Sequence, residues 1–142
     1  MSPIDHVELF VSDRREAAAW YRRVLGLEVI PEYEHWALDP QGPLMISNDG
    51  GRTKLALFVG EPQGSRATAG FHLVAFGLSG EDFLQFVERV GSLDLINQHG
   101  NSVTVESVRD HKAAWSIYFT DPYGHRLEVT TYDYELVKSK LR

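Results

Sequence analysis

A chain of 142 residues with 43% hydrophobic and 24% charged side chains is one domain of ordinary size, able to bury a self-sufficient core and far from the composition of disordered segments. Fourteen Lys and Arg against twenty Asp and Glu leave a formal charge of -6, which argues against nucleic-acid and anionic-membrane partners. The absence of cysteine excludes disulfides, thiolate catalysis and cysteine-ligated metal, so the six histidines and the carboxylates are the strong metal ligands available. The N-terminus has no basic stretch followed by an apolar run, and no stretch of about eighteen apolar residues occurs, so a cytoplasmic protein is expected.

In chain order, residues 4 to 12 alternate and are rich in β-formers, and DRREAAAWYRRVLG follows as a helix with Asp13 at its start and Gly26 at its stop. LEVIPEYEHWALD, PLMISND and TKLALFV then form three short apolar runs, separated by Pro, Gly and the NDGG turn at 48 to 51. The polar, Gly-containing stretch at 61–69 reads as a linker. It divides a first βαβββ module, about 1–60, from a second, about 70–134, with a tail at 135–142 that carries a short helix. In the second module FHLVAFGLS predicts a strand. GEDFLQFVERVG predicts a helix with Phe83, Phe86, Val87 and Val90 on one face, and strands are expected near 103–108, 115–120 and 125–131.

A shift of 66 residues lays His6 on His72, Phe10 on Phe76 and Trp20 on Phe86, as two copies of one supersecondary unit would. The expected fold class is therefore α+β, with two βαβββ modules forming a curved mixed sheet around a metal-binding cleft and the helices outside. Glu128, in the strand GHRLEVTT, points oppositely to Leu127 and Val129. A carboxylate inside a core strand calls for a salt partner, a hydrogen-bond network or a metal. One reading makes His6 and His72 satisfied core histidines and pairs Glu128 with Arg126 or another surface base. The other makes two imidazoles and a carboxylate a facial site for a divalent ion with open coordination positions.

The opening IDHVELFVSD…AAWYRRVLGLEV, the middle FHLVAFGLSGEDFLQFVERV and the ending WSIYFTDPYGHRLEVTTYD together resemble the vicinal oxygen chelate superfamily, which includes glyoxalase I, extradiol dioxygenases, fosfomycin-resistance transferases and bleomycin-resistance proteins. The likeness spans nearly the whole chain, and YFTDPYGHRLE is its strongest segment. The resemblance implies metal ligands at His6, His72 and Glu128. It implies Fe2+ or Mn2+ for a dioxygenase, and Zn2+, Ni2+ or Co2+ for an isomerase. The fourth ligand of glyoxalase I would fall at Ala56, which lowers lactoylglutathione isomerisation.

Tyr118, ten residues before Glu128, stands where the extradiol enzymes carry a substrate-contacting tyrosine, with His111 just upstream as a proton-moving histidine. An acid-base histidine that those enzymes place shortly before the second metal-ligating histidine has no counterpart in KLALFVGEPQGSRATAGF. In the fosfomycin transferases a threonine stands where this chain has Glu8, whose charge would repel an anionic phosphonate. Glu8 itself is read either as a rim carboxylate or as a general base or support for the metal. Tyr118 and His111 also have a plain reading, as strand packing and a solvated loop residue. His125 is expected in a surface turn, His35 with Trp36 at a cleft entrance, and His99 in a polar loop. The leading expectation is a metal-dependent, dioxygenase-like enzyme on a small bidentate oxygen substrate, forming a homodimer. Its alternatives are a non-catalytic small-molecule binding protein using Trp36, Trp115 and Tyr118, or a glyoxalase-type isomerase or lyase.

Overall fold

The computed structural model describes residues 4–62 and 73–141, and His72 lies outside them. The chain forms two compact units, Met1–Gln63 and Gly64–Arg142, divided inside the expected linker. Among the described residues no helix is long and apolar enough to cross a membrane.

In the first unit β1 (His6–Val11) leads into α1 (Arg14–Leu25), followed by β2 (Glu28–Val29), β3 (Leu44–Ser47) and β4 (Lys54–Val59). The sheet order is β1-β4-β3-β2, with β1 and β4 parallel and the other pairs antiparallel. The Asp13 side chain accepts from the Glu16 amide at 3.0 Å, and Gly26 ends the helix at φ 70, where its amide returns to the Arg22 carbonyl. Alternation along β1 then buries Leu9 and Val11, on the face that packs with Tyr21, Val24, Leu44, Ile46 and Leu57, and turns His6, Glu8 and Phe10 to the other face.

The second unit repeats this plan with β5 (Val74–Gly77), α2 (Gly80–Arg89), β6 (Arg109–Asp110), β7 (Trp115–Thr120) and β8 (Arg126–Thr131), in the order β5-β8-β7-β6. Ser79 caps α2 through the Asp82 amide at 3.1 Å. Phe83, Phe86 and Val87 pack on the apolar face made by Ile117, Phe119, Leu127 and Val129, with Phe86 stacked on Phe119 at 5.7 Å. The expected C-terminal helix is α3 (Tyr134–Lys140), where Tyr134 stacks on Trp115 at 5.3 Å. The fold is α+β, two four-stranded mixed sheets with helices, as the sequence predicts.

Two expectations change. Strand pairing after α1 stops at Val29, because Pro31 has no amide to pair and opens a 3-10 helix over Pro31–Leu38. The strand expected at 103–108 is a 3-10 turn, Val105–Ser107. There the Thr104 hydroxyl accepts from the Glu106 amide and the Ser107 hydroxyl from the Thr104 amide, so local bonds replace a ladder. The helix caps Asp13 and Ser79 keep the spacing of 66 expected of the repeat, and two residues join strand to helix in each unit.

Candidate functional site

In the first unit, β1 carries His6 and Glu8 on one face, where Glu8 stands opposite Ala56 and His6 opposite Lys54. The Asp5 carboxylate links His6 to Lys54: one oxygen accepts from His6 Nδ1 at 2.8 Å and the other from Lys54 Nζ at 3.0 Å. With Nδ1 donating to Asp5, Nε2 is the nitrogen left for another partner, and Glu8 Oε2 lies 3.3 Å from it. The Asp5 hydrogen bond raises the His6 pKa above its ordinary value. Burial opposes that shift, and Glu8 adds to it. These groups open on a recess of about 250 Å³ that Tyr33, Trp36, Met45 and Phe58 also line. Trp36 therefore borders the recess as expected, while His35 lies against its ring edge at 5.9 Å and is exposed.

In the second unit, the polar face of the β7–β8 pair carries Ser116, Tyr118, Glu128 and Thr130, with Tyr118 directly opposite Glu128. Glu128 is half-buried and accepts from the Ser116 hydroxyl at 2.6 Å, and Ser116 Oγ lies 3.0 Å from Thr130 Oγ1. The hydrogen-bond network anticipated for this carboxylate is therefore present, with Ser116 as a donor. Tyr118 OH lies 2.9 Å from His111 Nε2, so the loop before β7 delivers the histidine to the tyrosine across seven residues. Burial, with the Glu128 charge next, raises the Tyr118 pKa above 10.0 and keeps the phenol protonated. Sequence alternation could have singled out Ser116, two residues from Tyr118 on the same face. No local pattern pointed to Asp5.

His125 corrects the expectation of a surface turn. It is 4% exposed just before β8, because the Asp121-Pro122-Tyr123-Gly124 turn folds back and the Asp121 carboxylate accepts from the Tyr123 and His125 amides at 2.9 Å each. Gly124 supplies the positive φ of 88 that this turn needs. His99 is exposed and lines a pocket of about 560 Å³ in this unit, beside Tyr118, Arg109 and Arg126.

Among the described residues no group of three or more His, Asp or Glu side chains is arranged to hold a metal ion. The donor chemistry in each unit nevertheless suits a divalent ion. His6 presents one nitrogen with the other held by a carboxylate, and Glu128 presents a carboxylate oriented by a buried hydroxyl. Ala56, 1% exposed, brings no further ligand to the first sheet.

Residues 3–129 match the model of the Glyoxalase/Bleomycin resistance protein/Dioxygenase superfamily. The chain is 25% identical to the metallothiol transferase FosB of Staphylococcus epidermidis, over 92% of this chain and 82% of that protein. Among solved structures, Oxidase ChaP-H2 superposes with a TM-score of 0.65 at 22% identity, covering 92% of this chain and 94% of the other. The fosfomycin resistance protein FosX of Listeria monocytogenes superposes with a TM-score of 0.67 at 19% identity, covering 92% and 93%.

Proposed function

Because the chain belongs to the glyoxalase/bleomycin resistance protein/dioxygenase superfamily, we propose that it is a divalent-metal-dependent enzyme acting on a small substrate with two adjacent oxygens, and that its reaction is dioxygenase-like cleavage of a catechol ring. His6, His72 and Glu128 would hold the ion, with Fe2+ or Mn2+ favoured. Bound there, the ion would supply Lewis acidity to the chelated oxygens. Both atoms of dioxygen enter the ring-opened product, so no further reductant is required.

The observation that carries this reading is the His111–Tyr118 hydrogen bond on the Glu128 face. Tyr118 holds a single proton. When it donates to His111 Nε2, its oxygen can accept from a substrate hydroxyl; when His111 is protonated, the phenol can donate to a substrate oxygen instead. The exposed His111 exchanges its proton with water. Glu8, at His6 Nε2, is the base or supporting carboxylate on the first unit.

The test is dioxygen uptake by protein loaded anaerobically with Fe2+ or Mn2+, with catechols as substrates. Tyr118→Phe and His111→Phe are each expected to lower kcat by about 10²–10⁴-fold, the usual worth of a positioned acid or base. His6→Ala, His72→Ala and Glu128→Ala should each lose the metal. Retention of metal by His72→Ala would overturn the ligand set.

A second reading, metal-assisted addition of a thiol, is supported by the similarity to FosB. Glu8 beside His6 opposes it by repelling an anionic substrate. Thiol consumption with fosfomycin and no dioxygen uptake would select it. Tight binding of small molecules without turnover by any loaded form would instead select the non-catalytic binding protein.

A further inference from the structure

Tyr134, the first residue of α3, touches both ends of the turn that carries His111. Its hydroxyl donates to the Asp110 carboxylate, at 2.8 Å from Oδ1 and 2.9 Å from Oδ2. Its carbonyl accepts from Trp115 Nε1 at 3.1 Å, and its ring stacks on the Trp115 indole at 5.3 Å. Asp110 and Trp115 are the last pair of the β6–β7 ladder, so residues 111–114 between them form the turn. Within it the Asp110 carboxylate also accepts from the Lys112 amide at 2.8 Å, and the His111 amide donates to the Ala114 carbonyl at 2.9 Å. Lys112 takes a left-handed φ of 71, a conformation that a residue with a side chain keeps only where its surroundings hold it. The Lys112 amide, with the Tyr134 hydroxyl next, lowers the Asp110 pKa from the ordinary 3.8, so this acceptor is ionised at neutral pH.

Helix packing places Tyr134 in turn. Val137 is fully buried, and Gly80 at the start of α2 lets α3 approach: a Cβ there would lie 2.7 Å from both Asp133 Oδ2 and Leu136 Cδ2. Lys138, four residues on, sets its Nζ over the Tyr134 ring at 5.9 Å from the centroid. The seat of α3 on α2 therefore decides where the Tyr134 hydroxyl stands.

We propose that Tyr134 is a positioning residue for the reaction. By holding Asp110 and Trp115 it fixes the turn that brings His111 Nε2 to 2.9 Å from the Tyr118 hydroxyl, so a docked C-terminal helix is a condition for moving a proton there. The proposal rests on the proton-moving role given to His111 and Tyr118.

Tyr134→Phe removes the hydroxyl and keeps the ring and the carbonyl. In the Fe2+-loaded protein with a catechol, kcat for dioxygen uptake is expected to fall by about 10–10²-fold, the cost of a misplaced reacting group, with KM changed by less than about twofold. The same substitution made in His111→Phe should change kcat by less than about twofold, because Tyr134 acts through His111. A merely structural role would lower both backgrounds alike, and equal losses would overturn the proposal. A second readout needs neither metal nor turnover. The nuclear Overhauser contact between the His111 and Tyr118 rings, whose centroids lie 6.1 Å apart, should be lost in Tyr134→Phe, and its persistence would overturn the proposal. If the unaltered protein takes up no dioxygen while Tyr134→Phe loses the ring contact, the tether stands and the dioxygenase reading beneath it falls.

Discussion

The Ser116 hydroxyl, 1% exposed, donates to Glu128 at 2.6 Å, and a carboxylate held this way loses little freedom when a cation arrives. Ser116→Ala removes that donor without adding bulk. It is expected to weaken Mn2+ binding by about 10–100-fold with the fold intact, as measured by competition against a fluorescent chelator alongside a circular dichroism spectrum. Asp49 is a structural carboxylate of a different kind. It accepts from the Thr53 amide at 2.9 Å and from the Ser47 hydroxyl at 2.8 Å, and these bonds lower its pKa from the ordinary 3.8, with the Thr53 amide the largest cause. A lowered native pKa contributes stability that is fully present above pH 3.8 and is lost as pH falls through the lower native value. Asp49→Asn should therefore show a shallower decline of urea-unfolding stability below about pH 4 than the unaltered protein; matching acid limbs would refute the assignment.

Elements in this chain are punctuated by single residues. Gly26 closes α1 at φ 70, and a Cβ placed there would meet nothing within 4 Å, so Gly26→Ala should cost only the backbone penalty of a left-handed residue, about 1 kcal/mol. Asp13→Ala at the other end should cost about 1 kcal/mol through the lost cap. Urea denaturation measures both, and because the two sites lie at opposite ends of one helix their effects should add. The strand elements behave differently. β2 and β6 are two residues each, since Pro31 stops one and the Thr104–Ser107 capping turn displaces the other, so one of the two edge strands of each sheet is its shortest described strand. That shortness limits the exposed ladder groups available for pairing with another chain.

At the scale of the whole molecule, the proposed ion would tie stability to metal concentration. With Mn2+ at a hundred times its Kd, unfolding should cost about 2.7 kcal/mol more than in chelator, and His6→Ala and Glu128→Ala should each abolish the increment in chemical denaturation. A homodimer is expected to sediment at twice the 16.1 kDa chain mass; a species of 16.1 kDa at assay concentrations would exclude it.

Sequence alone determined the duplicated βαβββ order, both capped helices, the C-terminal helix and the family, because hydrophobic period, cap chemistry and the Asp-Pro-Tyr-Gly turn are local signals. It also brought Tyr118 and His111 together, since seven residues through one loop leave them few ways to part. Only the tertiary structure decided that Ser116 orients Glu128, that Asp5 links His6 to Lys54 across 49 residues, and that Arg109 and Arg126 share a pocket. These contacts depend on strand register and on which distant segments the sheets bring side by side, and no local pattern of residues carries either.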